Sequence, residues 1–151
     1  MDTEKEPCSR RQFLVQLTAG AGVLAAAGAV GCAAVATYSA NLSGDRILLD
    51  RSQLDLTMGE KNAVLVRASG LPDAIVLLRD DKGGFSALNA RCTHLGCEVR
   101  PGGKFLTCPC HQSTFDLQGK VMRGPAQKSL ATYLVELRGN RVEIVIGQMS
   151  S

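Results

Sequence analysis

Tryptophan is missing from this chain of 151 residues, and four Phe and two Tyr are its whole aromatic complement, 4% of the total. A core so poor in rings must rest on Leu, Val, Ile and Ala, or draw stability from cross-links or a bound metal. An excess of either charge is also missing. The net charge is +3 with no basic run, which excludes a nucleic-acid binder that works by neutralising phosphates. Histidine occurs only twice, and from Asp45 onward there is no internal repeat and no low-complexity tract. Hydrophobic residues at 45% and charged residues at 21% are ordinary for a folded protein and exclude wholesale disorder. The length leaves room for one domain and a short appendage.

One more absence locates the appendage. No charged residue stands between Gln12 and Gly44, and the stretch from Phe13 to Ala40 is apolar, Ala/Gly-rich and long enough to cross a bilayer, for which ~20 residues suffice. Ser9-Arg10-Arg11-Gln12-Phe13-Leu14 resembles the twin-arginine export signal, in which an Arg pair precedes a mildly apolar segment. Residues 1–43 are therefore expected to be a twin-arginine-like signal and membrane anchor containing one N-terminal membrane helix. Retention of that helix is the favoured outcome. Cleavage after Ala34-Val35-Ala36 and lipid attachment at Cys32 are the alternatives. Val30-Gly31-Cys32 fits a lipobox in part, with Ala29 where Leu is usual. The plain alternative is an Ala-rich amphipathic or buried helix. Cys8, ahead of the segment, reads as a free cytosolic thiol.

Residues 44–148 are expected to form the globular domain, and they hold the whole charge surplus, since residues 1–44 balance at three against three. Short, β-branched apolar runs recur between turn signals, at 46–50, 63–68, 74–79, 85–91, 104–107, 132–137 and 141–146. Alternation is visible in Arg141-Val142-Glu143-Ile144. Asp80-Asp81-Lys82-Gly83-Gly84 and Gly139-Asn140 are hairpin-type turns. No segment after Asp45 shows sustained helical periodicity. The pattern predicts an all-β fold, a small antiparallel domain.

Four of the six Cys and both His lie within twenty residues. Cys92-Thr93-His94-Leu95-Gly96-Cys97 and Cys108-Pro109-Cys110-His111 each offer one Cys and one His to a metal from a loop, and each has a spare Cys. Two thiolates with two imidazoles suit zinc or an iron–sulfur centre, and the spare pair suits a disulfide between the loops. Zinc modules, however, usually present C-x2-C or H-x3-5-H pairs.

C-x-H paired with C-x-x-H is instead the Rieske pattern, with two Cys on one iron and two His on the other. The string C-T-H-L-G-C, a short gap, then C-P-C-H-x-S resembles Rieske proteins of the cytochrome bc type. The likeness continues through Phe115-Asp116, Gly119-Lys120-Val121 and Gly124-Pro125-Ala126, and so spans most of residues 85–130. The resemblance implies a Rieske-type domain with a cluster-binding subdomain and one [2Fe–2S] cluster. Cys92 and Cys108 would bind the inner iron, His94 and His111 the outer one, and Cys97 and Cys110 would form the disulfide tying the two loops. That bond fits an oxidising compartment, and it separates the chain from the Rieske ferredoxins of ring-hydroxylating dioxygenases. Ser113 would donate to a bridging sulfide, and Gly124-Pro125, otherwise an ordinary turn, would belong to the loop covering the cluster. Three departures stand out. The gap between His94 and Cys108 holds only 13 residues. Phe115 stands where high-potential members carry a Tyr that hydrogen-bonds a ligand sulfur, and Gln127 replaces the family's second proline.

The ligands imply the function. An oxidised [2Fe–2S] core with four thiolates is dianionic. Exchanging two thiolates for imidazoles makes it neutral and easier to reduce, which puts Rieske potentials at roughly −150 to +300 mV, against about −400 mV for all-Cys plant-type clusters. Such a centre can accept an electron from a quinol, and ring nitrogens not bound to iron can exchange protons at the same exposed tip. His94, Leu95 and His111 would form that tip and dock the partner. The expected partners are a cytochrome b-like membrane subunit, a c-type cytochrome, quinol and the membrane, with the cluster domain on the periplasmic side of the inner membrane. A small relay subunit of an exported molybdenum oxidoreductase of the arsenite oxidase kind, a stand-alone Rieske carrier or sensor, and a zinc-stabilised binding module are the alternatives.

Overall fold

Ala63-Val64-Leu65-Val66 and Ile75-Val76-Leu77-Leu78 contain no polar residue, the signature of strands covered on both faces. The computed structural model, which describes residues 35–150, shows why. Along the chain come β1 (Thr37–Ser43), β2 (Arg46–Asp50), α1 (Arg51–Met58), β3 (Ala63–Ser69), β4 (Ile75–Arg79) and β5 (Phe85–Asn89). Four short strands follow, β6 (Arg100–Pro101), β7 (Leu106–Thr107), β8 (Thr114–Phe115) and β9 (Val121–Arg123), and then β10 (Thr132–Arg138) and β11 (Arg141–Ser150). Seven strands close a barrel in the order β1-β2-β11-β10-β5-β4-β3, and the four short ones make a separate sheet, β6-β7-β8-β9.

Side chains alternate across a strand, so the unbroken runs serve two cores. Val64, Val66, Ile75, Leu77 and Ala87 point to one, with Ile47, Leu49, Val142 and Ile144 from β2 and β11. Leu65, Val76, Leu78 and Leu88 point to the other, where Val99, Leu106, Phe115 and Leu130 of the cluster-bearing lobe meet them. The lobe therefore sits on β3, β4 and β5, and its apolar half is completed by the barrel.

The strands expected from 46–50, 63–68, 74–79, 85–91, 104–107, 132–137 and 141–146 are all present, with ends shifted by a few residues. Both hairpin turns join the strands expected of them, β4 to β5 and β10 to β11. The antiparallel expectation needs one correction, because β1 pairs parallel with β3, Thr37 opposite Leu65 through Asn41 opposite Ser69. β1 itself occupies the last seven residues of the stretch assigned to the anchor, and the pairing starts earlier still, with Leu65 N–H donating to the Ala36 carbonyl at 2.9 Å. Helix α1 escapes a periodicity search because it is two turns long and Leu56 breaks its face, remaining 85% exposed between the buried Leu54 and Met58. Its start is nonetheless encoded. The Asp50 side chain accepts from Gln53 N–H at 3.0 Å, an N-cap worth ~1 kcal/mol over Ala.

The export-signal and anchor expectations for residues 1–34, including Cys8 and Cys32, lie outside the described residues. Among the described residues no helix is long and apolar enough to cross a membrane.

Candidate metal centre

Each Cys/His segment folds as a closed loop, and the two loops are built alike. In the first, Cys92 N–H donates to the Cys97 carbonyl at 2.8 Å and Gly96 N–H to the Cys92 carbonyl at 2.8 Å. In the second, Cys108 N–H donates to the Ser113 carbonyl at 2.9 Å and Gln112 N–H to the Cys108 carbonyl at 3.0 Å. The fifth position is left-handed in both, at Gly96 (φ 78°) and at Gln112 (φ 59°). Glycine adopts that region freely, whereas Gln112 holds it at a cost of ~1–2 kcal/mol. The correspondence sets Cys92 against Cys108 and Cys97 against Ser113. His94 and His111 occupy the third and fourth positions, which is why one spacing is C-x-H and the other C-x-x-H.

The loops converge. Cys97 and Cys110 are joined by a disulfide. Cys92 and Cys108 remain free thiols and are buried. The rings of His94 and His111 meet edge to face with centroids 4.8 Å apart. Burial first, and then the neighbouring Cys108 thiol, pushes the Cys92 thiol up, while the His94 amide and the Ser113 hydroxyl, both hydrogen-bonded to it, act the other way. Two thiols side by side out of solvent are unfavourable as a pair of anions unless a cation sits between them. The sulfurs of Cys97, Cys108 and Cys110 also lie within 4.8 Å of one another, but two of these are spent on the disulfide, which leaves Cys108 as the only thiolate donor of that group.

His94 adds a second sign of a missing partner. Its Nδ1 is buried and has no hydrogen-bond partner, although buried polar atoms are otherwise satisfied in more than about nine cases in ten. A buried ring nitrogen left bare two residues along the chain from Cys92 fits a metal ligand, and the residues present fit a two-Cys, two-His iron–sulfur centre.

A third segment pins both loops. After β9 the chain runs through Gly124-Pro125, both exposed and joined by a cis peptide. Ala126 N–H then donates to the Ser113 Oγ at 3.0 Å. Two residues on, the Lys128 carbonyl accepts from Thr93 Oγ1 at 2.6 Å. Ser113 is fully buried, and because its oxygen is occupied by Ala126, its proton is free for the Cys92 sulfur. Phe115 is fully buried too, packed in the same core as Cys92 and Cys108, with no donor to offer. Leu95 is 68% exposed, His111 exposed and His94 half-buried, so the three expected tip residues lie at the surface. A cleft of about 620 Å³ opens beside them, with Arg91, His94, Leu95 and Lys128 on its walls.

Sequence reasoning missed Thr93, Gln112 and the Lys128 carbonyl. Thr93 could have been found as a hydroxyl inside a metal-loop string. A left-handed Gln and a backbone acceptor leave no sequence signal.

Comparison with known proteins agrees with this geometry. Residues 47–134 match the Rieske [2Fe–2S] domain. The cytochrome b6-f complex iron-sulfur subunit of Synechococcus elongatus is 33% identical over 148 residues, covering 88% of this chain and 82% of that protein. The subunit of the same name from Synechococcus sp. strain WH7803 is 44% identical over 75 residues, 48% of this chain and 42% of the relative, so that likeness spans less than half of the relative's length. Among solved structures, the cyanobacterial plasma membrane Rieske protein PetC3 from Synechocystis PCC 6803 aligns with a TM-score of 0.51 at 30% identity, over 60% of this chain and 91% of that one. The soluble domain of Rieske protein II from Sulfolobus acidocaldarius, 19% identical with a TM-score of 0.51 over 62% of this chain and 71% of its own, shares the fold.

Proposed function

Since this chain belongs to the Rieske [2Fe–2S] domain family, we propose that Cys92, His94, Cys108 and His111 hold one [2Fe–2S] cluster and that the chain is the electron-transfer subunit of a membrane quinol-oxidising complex. Cys92 and Cys108, the buried pair, take the inner iron, and His94 and His111 the outer one. When bound, the cluster supplies a one-electron site in the window of roughly −150 to +300 mV. The observation that carries the reading is the convergence of two like-built loops that hold a pair of free buried thiols, one of them also bearing the bare, buried Nδ1 of His94.

The chain's own residues divide the work. The Cys97–Cys110 bridge and the Thr93–Lys128 and Ser113–Ala126 hydrogen bonds fix the loops before a partner arrives, so little reorganisation accompanies electron transfer. Ser113 directs its proton to sulfur and stabilises added negative charge there. His111, the more exposed imidazole, and His94 present ring nitrogens to a quinol hydroxyl, and Leu95 packs against the partner. The donor is quinol held by a cytochrome b-like membrane subunit and the acceptor is a c-type cytochrome, on the periplasmic side, with the export signal and retained anchor ahead of β1, within residues 1–34. The names of the b6-f relatives support this assembly.

The test is a stopped-flow mixture of the oxidised, cluster-loaded full chain in detergent with a short-chain quinol, followed in the visible. Reduction by quinol, with reoxidation by a ferric c-type cytochrome, is expected. Reduction by dithionite but not by quinol would refute the quinol-linked role.

A further inference from the structure

Charge is divided unevenly over the domain. Residues 89–131, which hold both cluster loops and β6–β9, carry the cations Arg91, Arg100, Lys104, Lys120, Arg123 and Lys128 against only Glu98 and Asp116. The other described residues carry eight cations against nine carboxylates. All six lobe cations are exposed. Both lobe acids are already engaged. Glu98 takes Arg67 at 2.6 Å and Arg100 at 4.0 Å, and Asp116 accepts from the Gln118 and Lys120 amides. Arg91 lies 3.5 Å from Asp73, while Lys104, Lys120, Arg123 and Lys128 have no carboxylate within 4.0 Å among the described residues.

The placement of these charges is specific. Arg100, Thr107, Thr114 and Arg123 stand opposite one another across the four short strands, on one face of the sheet, while Leu106 and Phe115 turn to the core. Arg91 and Lys128 line the cleft that also contains His94 and Leu95. In the barrel, by comparison, Arg46 is met by both Glu136 and Glu143. In the lobe four of the six cations are left without a carboxylate among the described residues, and of these Lys128 stands on the cleft beside His94 and Leu95, together with Arg91, which Asp73 holds only at 3.5 Å.

We propose that this lobe docks onto an acidic redox protein, whose carboxylates meet Arg91 and Lys128 around an apolar spot that receives Leu95. The proposal rests on the electron-transfer reading above and specifies the charge of the partner. Positive potential at the exit point raises the encounter rate with an anionic face and repels a cationic one, over a range of ~8–10 Å at physiological salt.

The test uses the full chain in a neutral detergent and two redox-inert probes, zinc-porphyrin forms of an acidic and of a basic c-type cytochrome, so that binding is read without electron transfer. The acidic probe should bind, and its Kd should weaken at least about tenfold as salt rises from ~20 to ~200 mM. Lys128→Glu and Arg91→Glu should each weaken that binding about fivefold, and Lys82→Glu, in the β4–β5 turn of the barrel, should leave it unchanged. Equal binding of both cytochromes, or indifference to Lys128→Glu, would overturn the proposal. So would salt-reversible capture by phosphatidylglycerol vesicles without preference for the acidic cytochrome, which would make the lobe a lipid-binding face. Iron content and visible absorbance of the same samples report separately on the electron-transfer reading. A chain that holds its cluster but ignores the partner's charge sinks only the docking claim, and a chain without iron sinks the reading beneath it.

Discussion

The barrel's strands run five to ten residues, whereas those of the cluster lobe run two or three. In the barrel, β3 and β4 bury both faces, and half-buried charge is paired, as at Arg79 and Asp55, 2.7 Å apart. In the lobe almost nothing is long enough to propagate a sheet. Its order comes from one disulfide, from hydrogen bonds between loops, and from an apolar underside that needs β3, β4 and β5 to be covered. The barrel has one core made wholly of its own strands and helix α1. The lobe is specified by cross-links and by what it binds. A redox site gains from that arrangement, because loops pinned at several points keep the ligands in place while leaving the tip open to a partner.

The seam between the two regions is the place to break the comparison. Gly119 (φ 83°) precedes β9, and its carbonyl accepts from Leu130 N–H. A Cβ there would stand 3.0 Å from Leu88 Cδ2 of the barrel and 3.2 Å from Leu130 Cβ. Backbone strain and overpacking together put the cost of Gly119→Ala at about 2–5 kcal/mol. Thermal melts should show both regions destabilised, with loss of the visible chromophore tracking loss of barrel signal. A chromophore that fails while the barrel melts as in wild type would mean that the lobe is not supported by the barrel.

Next in size is the bridge. Cys97→Ser or Cys110→Ser opens a cross-link spanning 13 residues, worth about 3 kcal/mol in the unfolded chain. Because the bridge lies wholly within the lobe, the expected outcome is a loosened tip, faster loss of the cluster on storage and a lower potential, with barrel circular dichroism unchanged. A variant that keeps its cluster as long as wild type would show that the hydrogen-bonded ties alone suffice.

These two effects also mark what the chain made legible. Double-sided strands such as 63–66 and 75–78 announce themselves, because burial on both faces forbids polar residues. β6, β8 and β9 do not, because two or three residues cannot show a period. β1 was hidden in a charge-free stretch that reads as an anchor, and its parallel partnership with β3 is a long-range pairing with no local signature. At the proposed site, the Cys and His positions stand out in the sequence because metal ligation would restrict residue type. The ties that hold the loops do not, since the Lys128 carbonyl and the left-handed Gln112 depend on backbone position and not on side-chain chemistry.

A finer test works inside the lobe. Phe115 is sealed in the core shared with Cys92 and Cys108 and offers no donor, so the wild-type potential should lie in the lower part of the family window. Phe115→Tyr adds a hydroxyl and should raise the potential by tens of millivolts, with ~23 kcal/mol per volt for one electron. Protein-film voltammetry of both proteins at one pH reads the shift directly, and an unchanged or lower potential would place the new hydroxyl out of reach of sulfur.

The smallest expected effect belongs to the barrel. Arg46 first, and then Arg138, holds the Glu136 carboxyl below its usual range. A carboxyl depressed by folding contributes stability above its unfolded value of ~4.3 and loses it as pH falls through the lower folded value. Acid should therefore weaken the barrel modestly below about pH 4, and Glu136→Gln should flatten that part of the stability profile. A profile equally steep in both proteins would assign the acid sensitivity elsewhere.

The central claim is that two like-built loops place two thiolates and two imidazoles on one iron–sulfur centre. Pulsed electron paramagnetic resonance of the dithionite-reduced full chain tests it most directly. A [2Fe–2S] signal is expected with couplings from two inequivalent imidazole nitrogens, one set vanishing in His94→Ala or in His111→Ala if the variant retains iron. A paramagnetic cluster without nitrogen coupling, or a chain that binds zinc and shows no signal, would contradict it.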